Sequence, residues 1–208
     1  QTMDVIVTNK LEQLCIVQED NILNGSAPAY GVDNASLLAN NEYVYMPLIK
    51  RSDTPLWSGN LKKFVRKNGR ICNPSDNVCD ATTQAVDEFG SLTDKAKDGW
   101  SSNTNPDGKD ITKGGAANKL PLPDSRKLYT DKNNSTLIEL KSPDVTPAMM
   151  EAQGAPERDK WLDFIRGKKA DGTPRYHMGD MLTGKPELVS YDATTTLVFM
   201  ATNEGYLH

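Results

Sequence analysis

Apolar and β-branched residues fall in short runs along this chain, divided by turn-forming residues, and few runs keep a helical period. EYVYMPLI, from Glu42 to Ile49, has the aromatic and β-branched content of a strand, and Pro47 is expected to make its end an edge. Leu61–Lys67 reads as a second strand, bounded by Gly59 and by the hairpin dipeptide Asn68-Gly69. Lys127–Thr130 and Thr136–Leu140 read as a hairpin joined through Asp131–Asn134. A last pair is expected from the run at Ser190 and from Thr194–Thr202; Asn203-Glu204-Gly205 then turns the chain into a strand just begun at Tyr206. That ending leaves backbone groups for something else to pair. Near the start, Asp4–Thr8 is a β-branched run, Leu11–Gln18 could be strand or helix, and a turn follows at Gly25. One stretch reads firmly as a helix: Pro156–Gly167 opens on Pro, carries acids early, places Trp161, Phe164 and Ile165 on one stripe and closes on Gly.

Between Asp80 and Pro123 regular periodicity is scarce, with short helical stretches around Leu92–Trp100 and Thr112–Leu120; a span this long inside a domain is usually functional or an elaborated insertion. With 37% hydrophobic residues, 15 Gly and 12 Pro, the chain is a mainly β protein with short helices and long loops. A net charge of -4 argues against a nucleic-acid partner, which needs a dense basic face. The seven basic residues from Lys50 to Arg70, against Asp53 alone, read as a solvated strand face. No apolar run approaches the ~20 residues of a membrane span. No N-terminal stretch has the pattern of an export signal, so any such signal is expected to be absent or already removed, and the Gln1 start fits processing or a cut from a longer chain.

Candidate chemistry is sparse. Cys72 and Cys79 bracket a turn-rich stretch that would bring their sulfurs together, and a bridge there implies an oxidising compartment. The rival zinc reading would need Cys15, His177 or His208, all distant in sequence; with Cys72 and Cys79 bridged, Cys15 is bonded to neither. Asn103, Asn105, Asp107 and Asp110 mimic the first half of a calcium loop, with Gly108 for the sharp turn. Position one is Asn, however, and Gly114 stands where a bidentate Glu should close the site. An Asx-rich turn is the better account, and no metal is assigned. Two His residues and no Gly-x-Ser-x-Gly elbow leave no material for a catalytic constellation, so no catalytic or cofactor-binding residue is assigned and an enzyme is not expected. Gly114-Gly115 lacks the strand-to-helix context of a nucleotide site and reads as a loop or helix entry. Trp57, Trp100 and Trp161 could form a binding platform, though tryptophans of this number are more often core.

Six segments occur in the order and rough spacing of one family: Trp57–Phe64, Asp110–Ala117, Arg126–Thr130, Glu157–Gly167, Met178–Leu182 and Val198–His208. Together they resemble the C-terminal region of the PilC/PilY proteins, the tip-associated adhesins and biogenesis factors of type IV pili. The match covers 34–208 and leaves 1–33 as a preceding segment. The resemblance implies the first blades of a modified β-propeller, incomplete here, in a protein exported to the periplasm, outer membrane or pilus tip. It implies a non-catalytic part in pilus assembly, adhesion and surface-associated motility. Its implied partners are minor pilins, host or abiotic surfaces, and the remainder of the same polypeptide or a neighbouring subunit, which would pair the outermost strands, Glu42–Ile49 and Thr194–Thr202. The family's calcium loop lies farther along the propeller, so no cofactor is expected in this segment. Glu204 replaces a common Asp, and Thr183–Pro186 departs from a His-Ser-Arg/Lys-Pro pattern; both bear on subfamily. The chain lacks the Asp-x-Ser-x-Ser motif of the family's von Willebrand factor A-like region and has no Arg-Gly-Asp tripeptide. A quinoprotein-like propeller enzyme and a generic calcium- or glycan-binding surface domain are the alternatives.

Overall fold

The computed structural model describes residues 22–24, 29–30, 43–53, 55–132, 136–175, 178–182, 184–192 and 195–208. The expectations for Asp4–Thr8, Leu11–Gln18, Cys15, Gly25, the boundary at residue 33 and His177 lie outside them. The architecture is small antiparallel sheets with one α-helix and long loops. Among the described residues no sheet closes into a ring, and no helix is long and apolar enough to cross a membrane. The chain divides into two compact units, Gln1–Gly115 with Met178–His208, and Ala116–His177.

The first unit is built on strands β1 (Ile22–Asn24), β2 (Ala29–Tyr30), β3 (Tyr43–Lys50), β4 (Ser58–Lys67) and β5 (Arg70–Cys72). β3 is central: β4 pairs along its whole length on one side, and β1 and β2 pair on the other. The expectation that this strand is outermost, with Pro47 marking an edge, is therefore corrected. Pro cannot donate to a ladder, and Pro47 falls between Tyr45, the last residue paired with β2, and Leu48, the first paired with β1. Both faces of β3 are buried from Val44 to Ile49.

Asn68-Gly69 makes the β4–β5 hairpin as expected, with both residues at positive φ (51° and 76°), which a type I′ turn requires. Val44, Met46 and Leu48 pack with Phe64, and the irregular segment after β5 lays Ala85, Val86, Leu92, Ala96 and Ile111 over them. The stretches around Leu92–Trp100 and Thr112–Leu120 are turns, apart from a 3-10 helix at Ala116–Lys119.

Cys72 and Cys79 are bridged, with Cα atoms 5.9 Å apart, and pack against Val65 at the end of the hairpin. The bridge closes a short loop, worth about 2–3 kcal/mol on the chain-entropy model. Reduction is expected to lower the thermal midpoint by several degrees, and a midpoint unchanged by a membrane-permeable phosphine reductant would show that the bridge carries no stability.

The chain re-enters this unit at Met178. β8 (Glu187–Ser190) and β9 (Thr196–Phe199) form a two-stranded sheet, shorter than the expected Thr194–Thr202 run because the pairing passes to the returning segment. Met200 and His208 exchange backbone hydrogen bonds, 3.0 and 2.8 Å, and Thr202 N donates to Tyr206 O at 2.9 Å. Asn203–Gly205 thus reverses the chain as expected.

In the second unit, β6 (Tyr129–Lys132) and β7 (Thr136–Glu139) form the expected hairpin. Helix α1 (Ala155–Arg166) has Pro in its first turn and Gly167 as a left-handed C-cap. Glu157 accepts a hydrogen bond from Gln153 N, 2.6 Å, so an acid sits where the helix dipole favours it. Its buried stripe differs from expectation. Arg158 and Leu162 are buried, whereas Trp161 and Phe164 are exposed by 48% and 40%. Arg158 can sit inside because its guanidinium pairs with Asp159 and reaches the Val145 carbonyl.

Candidate functional site

Direct cross-strand partners point to one face of a sheet, so Asn60, Lys62 and Phe64 share the core face with Leu48, Met46 and Val44. Two polar side chains therefore stand among apolar ones, and Asn60 and Lys62 are both 0% exposed. The expected solvated basic face is wrong for Lys62. Burial of a polar group requires partners, and loop 98–115 supplies them. Asn60 Nδ2 donates to Ile111 O (2.7 Å) and Gly114 O (3.0 Å), and Lys62 Nζ donates to Asp110 O (3.2 Å).

The same loop brings in two further buried acids, Asp98 and Asp107. Asp98 accepts from Trp100 N through Oδ1 (2.8 Å) and from Gly115 N through Oδ2 (2.7 Å). Asp107 Oδ1 accepts from Ser101 Oγ (2.9 Å) and Asn103 Nδ2 (2.6 Å), while Asp107 Oδ2 has no hydrogen-bond partner. Desolvation lowers the Lys62 pKa, and Asp107, Asp98 and Asp110 pull it back up. Desolvation raises that of Asp98, against the amides of Trp100 and Gly115 and the charge of Lys62; Asp107 adds to the rise.

Gly114 and Gly115 hold this arrangement together. Both have positive φ, 59° and 70°. A Cβ on Gly114 would collide with Asp98 Oδ2 and stand 2.5 Å from Asp107 Oδ2; one on Gly115 would fall on the Asn60 amide, 2.6 Å from its Cγ. The pair is a loop device, as its lack of a strand-to-helix context implied, and here it lets backbone approach buried polar groups.

The candidate calcium-loop residues do not share a centre. Asn103 turns its amide nitrogen to Asp107, Asn105 is exposed, and the Asp110 carboxylate accepts from Thr112 N (2.9 Å) and Oγ1 (2.6 Å). Among the described residues, no three His, Cys, Asp or Glu side chains are grouped to hold a metal ion. Burial raises the Asp110 pKa, but the Thr112 bonds and Lys113 outweigh it and hold it below the usual carboxylate range. Trp57 and Trp100 are half-buried in the first unit, where Trp100 packs on Tyr45 (5.7 Å between centroids), and Trp161 lies in the second.

A second seam joins β4 to the returning segment. Gly59 N donates to Met178 O (2.9 Å) and Asp180 N to Trp57 O (3.1 Å). Asp180 is buried and accepts from Asn203 Nδ2 (2.5 Å), and Asn203 N donates back to Asp180 O (2.9 Å). The Glu204 side chain covers Gly179. In the second unit, Arg126 Nη1 donates to Arg166 O at the end of α1 (3.0 Å), and a cleft of about 430 Å³ opens beside them, lined by Glu139, Lys141, Asp159 and Asp163 among others. Asn60, Lys62, Asp98 and Asp180 were not marked as site residues from sequence, although the strand parity that puts Phe64 inward was a usable signal for the first two.

No protein-family model, no curated protein sequence and no solved structure matches this chain.

Proposed function

We propose that this chain is part of a type IV pilus tip and biogenesis protein of the PilC/PilY kind, contributing the first blades of a modified β-propeller and acting through protein interfaces without catalysis. In this reading it works in the periplasm and at the cell surface, with minor pilins as partners. What supports it is that the segments carrying the resemblance are each other's structural partners. Trp57–Phe64 is bonded to the Asp110–Gly115 loop through Asn60 and Lys62, and to Met178–Leu182 through Trp57 and Gly59; Met178–Leu182 is bonded to Asn203 through Asp180. In the second unit Arg126 is bonded to the end of the Glu157–Gly167 segment.

Deleting the encoding gene is expected to abolish or sharply reduce surface pili, with recovery on complementation. Intact piliation and twitching in the deletion strain would overturn the reading, and so would a purified protein carrying bound quinone.

A further inference from the structure

The described groups around Lys62 leave one interior negative charge too many. Asp98 and Asp107 are each 3% exposed, Lys62 is fully buried, and Asp110 is already engaged by Thr112 and Lys113. Asp107 Oδ2 has no partner, and both it and Asp98 Oδ2 converge on the space where a Gly114 Cβ would stand. An unpaired carboxylate oxygen in the interior costs several kcal/mol unless something positive or a donor reaches it. A metal ion would need more ligands than two carboxylates and has no third acidic, His or Cys side chain grouped with them among the described residues. A proton needs neither space nor further ligands.

We infer that Asp98 keeps a proton on Oδ2, donated to Asp107 Oδ2, and that this proton latches loop 98–115 onto β4. The arrangement then balances: Lys62 offsets the Asp107 charge and every buried oxygen has a donor. Two acids held close cannot easily both ionise. The charged groups acting on the pair are Lys62 from β4 and, through Lys62, Asp110 and Lys113 from the loop itself.

The sign follows from linkage. A carboxyl whose pKa is raised by folding adds stability below its unfolded value, about 3.9, and that stability is lost as pH rises through the folded value. Loss of the latch proton, and of the stability it carries, is therefore expected as pH rises through the folded value of Asp98. Asp107→Asn supplies the test because its Oδ1 still accepts from Ser101 and Asn103, while its Nδ2 offers the missing donor to Asp98 without a proton from solvent. Thermal midpoints of both proteins are measured from pH 5 to pH 9. The wild type is expected to fall by an amount on the order of 5 °C more than the variant, and the variant to be the more stable at pH 9. Parallel profiles would overturn the inference. Because the variant could fail to fold, the carboxyl carbon resonance of Asp98 in the wild type is followed by NMR over the same range; titration in the ordinary carboxylate range would equally overturn it. Calcium that raises the wild-type midpoint but not that of Asp107→Asn would show a cation in place of the proton and also sink it.

Discussion

Gly115→Ala is expected to destabilise the first unit by about 2–5 kcal/mol, because two separate costs fall on one methyl group. A left-handed backbone costs a residue with a Cβ about 1–2 kcal/mol, and overpacking a well-filled interior costs about 1–3 kcal/mol more. The new Cβ would land on the Asn60 amide, which already spends its two N–H donors on Ile111 O and Gly114 O. Asn60 cannot move aside without leaving buried polar groups unsatisfied. The thermal midpoint should drop by roughly 10 °C or more, and the tryptophan emission of Trp100, whose amide is tied to Asp98 in the same loop, should shift to the red. A variant that melts within two degrees of the wild type would mean that loop 98–115 does not pack on β4 as described. Gly114→Ala should behave alike, since its Cβ would displace Asp98 and Asp107.

Lys62→Met carries the second large effect. The apolar stem of lysine is replaced almost in volume, so the loss reports the ammonium rather than a cavity. Removing one partner from a buried charge arrangement typically costs about 3–5 kcal/mol, because the remaining charge stays in the interior uncompensated. Here that charge belongs to the Asp98–Asp107 pair. A double-mutant cycle isolates the coupling: Asp107→Asn should be far less harmful, and should recover stability, when Lys62 is already Met. Additive losses in denaturant unfolding would show that Lys62 is held by its bond to Asp110 O and not by the acids. The ΔΔG is to be read at fixed pH near 7, since the state of Asp98 depends on it.

Neither effect was visible along the chain alone, and the reason lies in the range of the interactions. Features set by near neighbours were legible. The hairpin at Asn68-Gly69 follows from two residues that accept positive φ, and the limits of α1 follow from Pro156, Glu157 and Gly167. The Cys72–Cys79 bridge closes across a separation of 7 residues, within the reach of one turn. Short β-branched and apolar runs bounded by turn residues placed β4, β6, β7 and the last hairpin to within a few residues, because turn chemistry is a local property.

Tertiary structure decided which face of each element is dry. β3 becomes central through pairing with β1 and β2 across Pro47, an interaction that its own residues only permit. Trp161 and Phe164 read as the buried stripe of α1, yet Leu162 and the stem of Arg158 occupy the interior, since what the helix packs against selects the stripe. Lys62 sits in a strand rich in basic residues and would be solvated there but for a loop returning 36 to 53 residues later. Asp98 and Asp107 gain their unusual environment for the same reason. Local sequence fixes backbone preference through short-range sterics and turn chemistry, whereas burial, and with it every charge and proton in the interior, is a property of segments that meet only after the chain has folded.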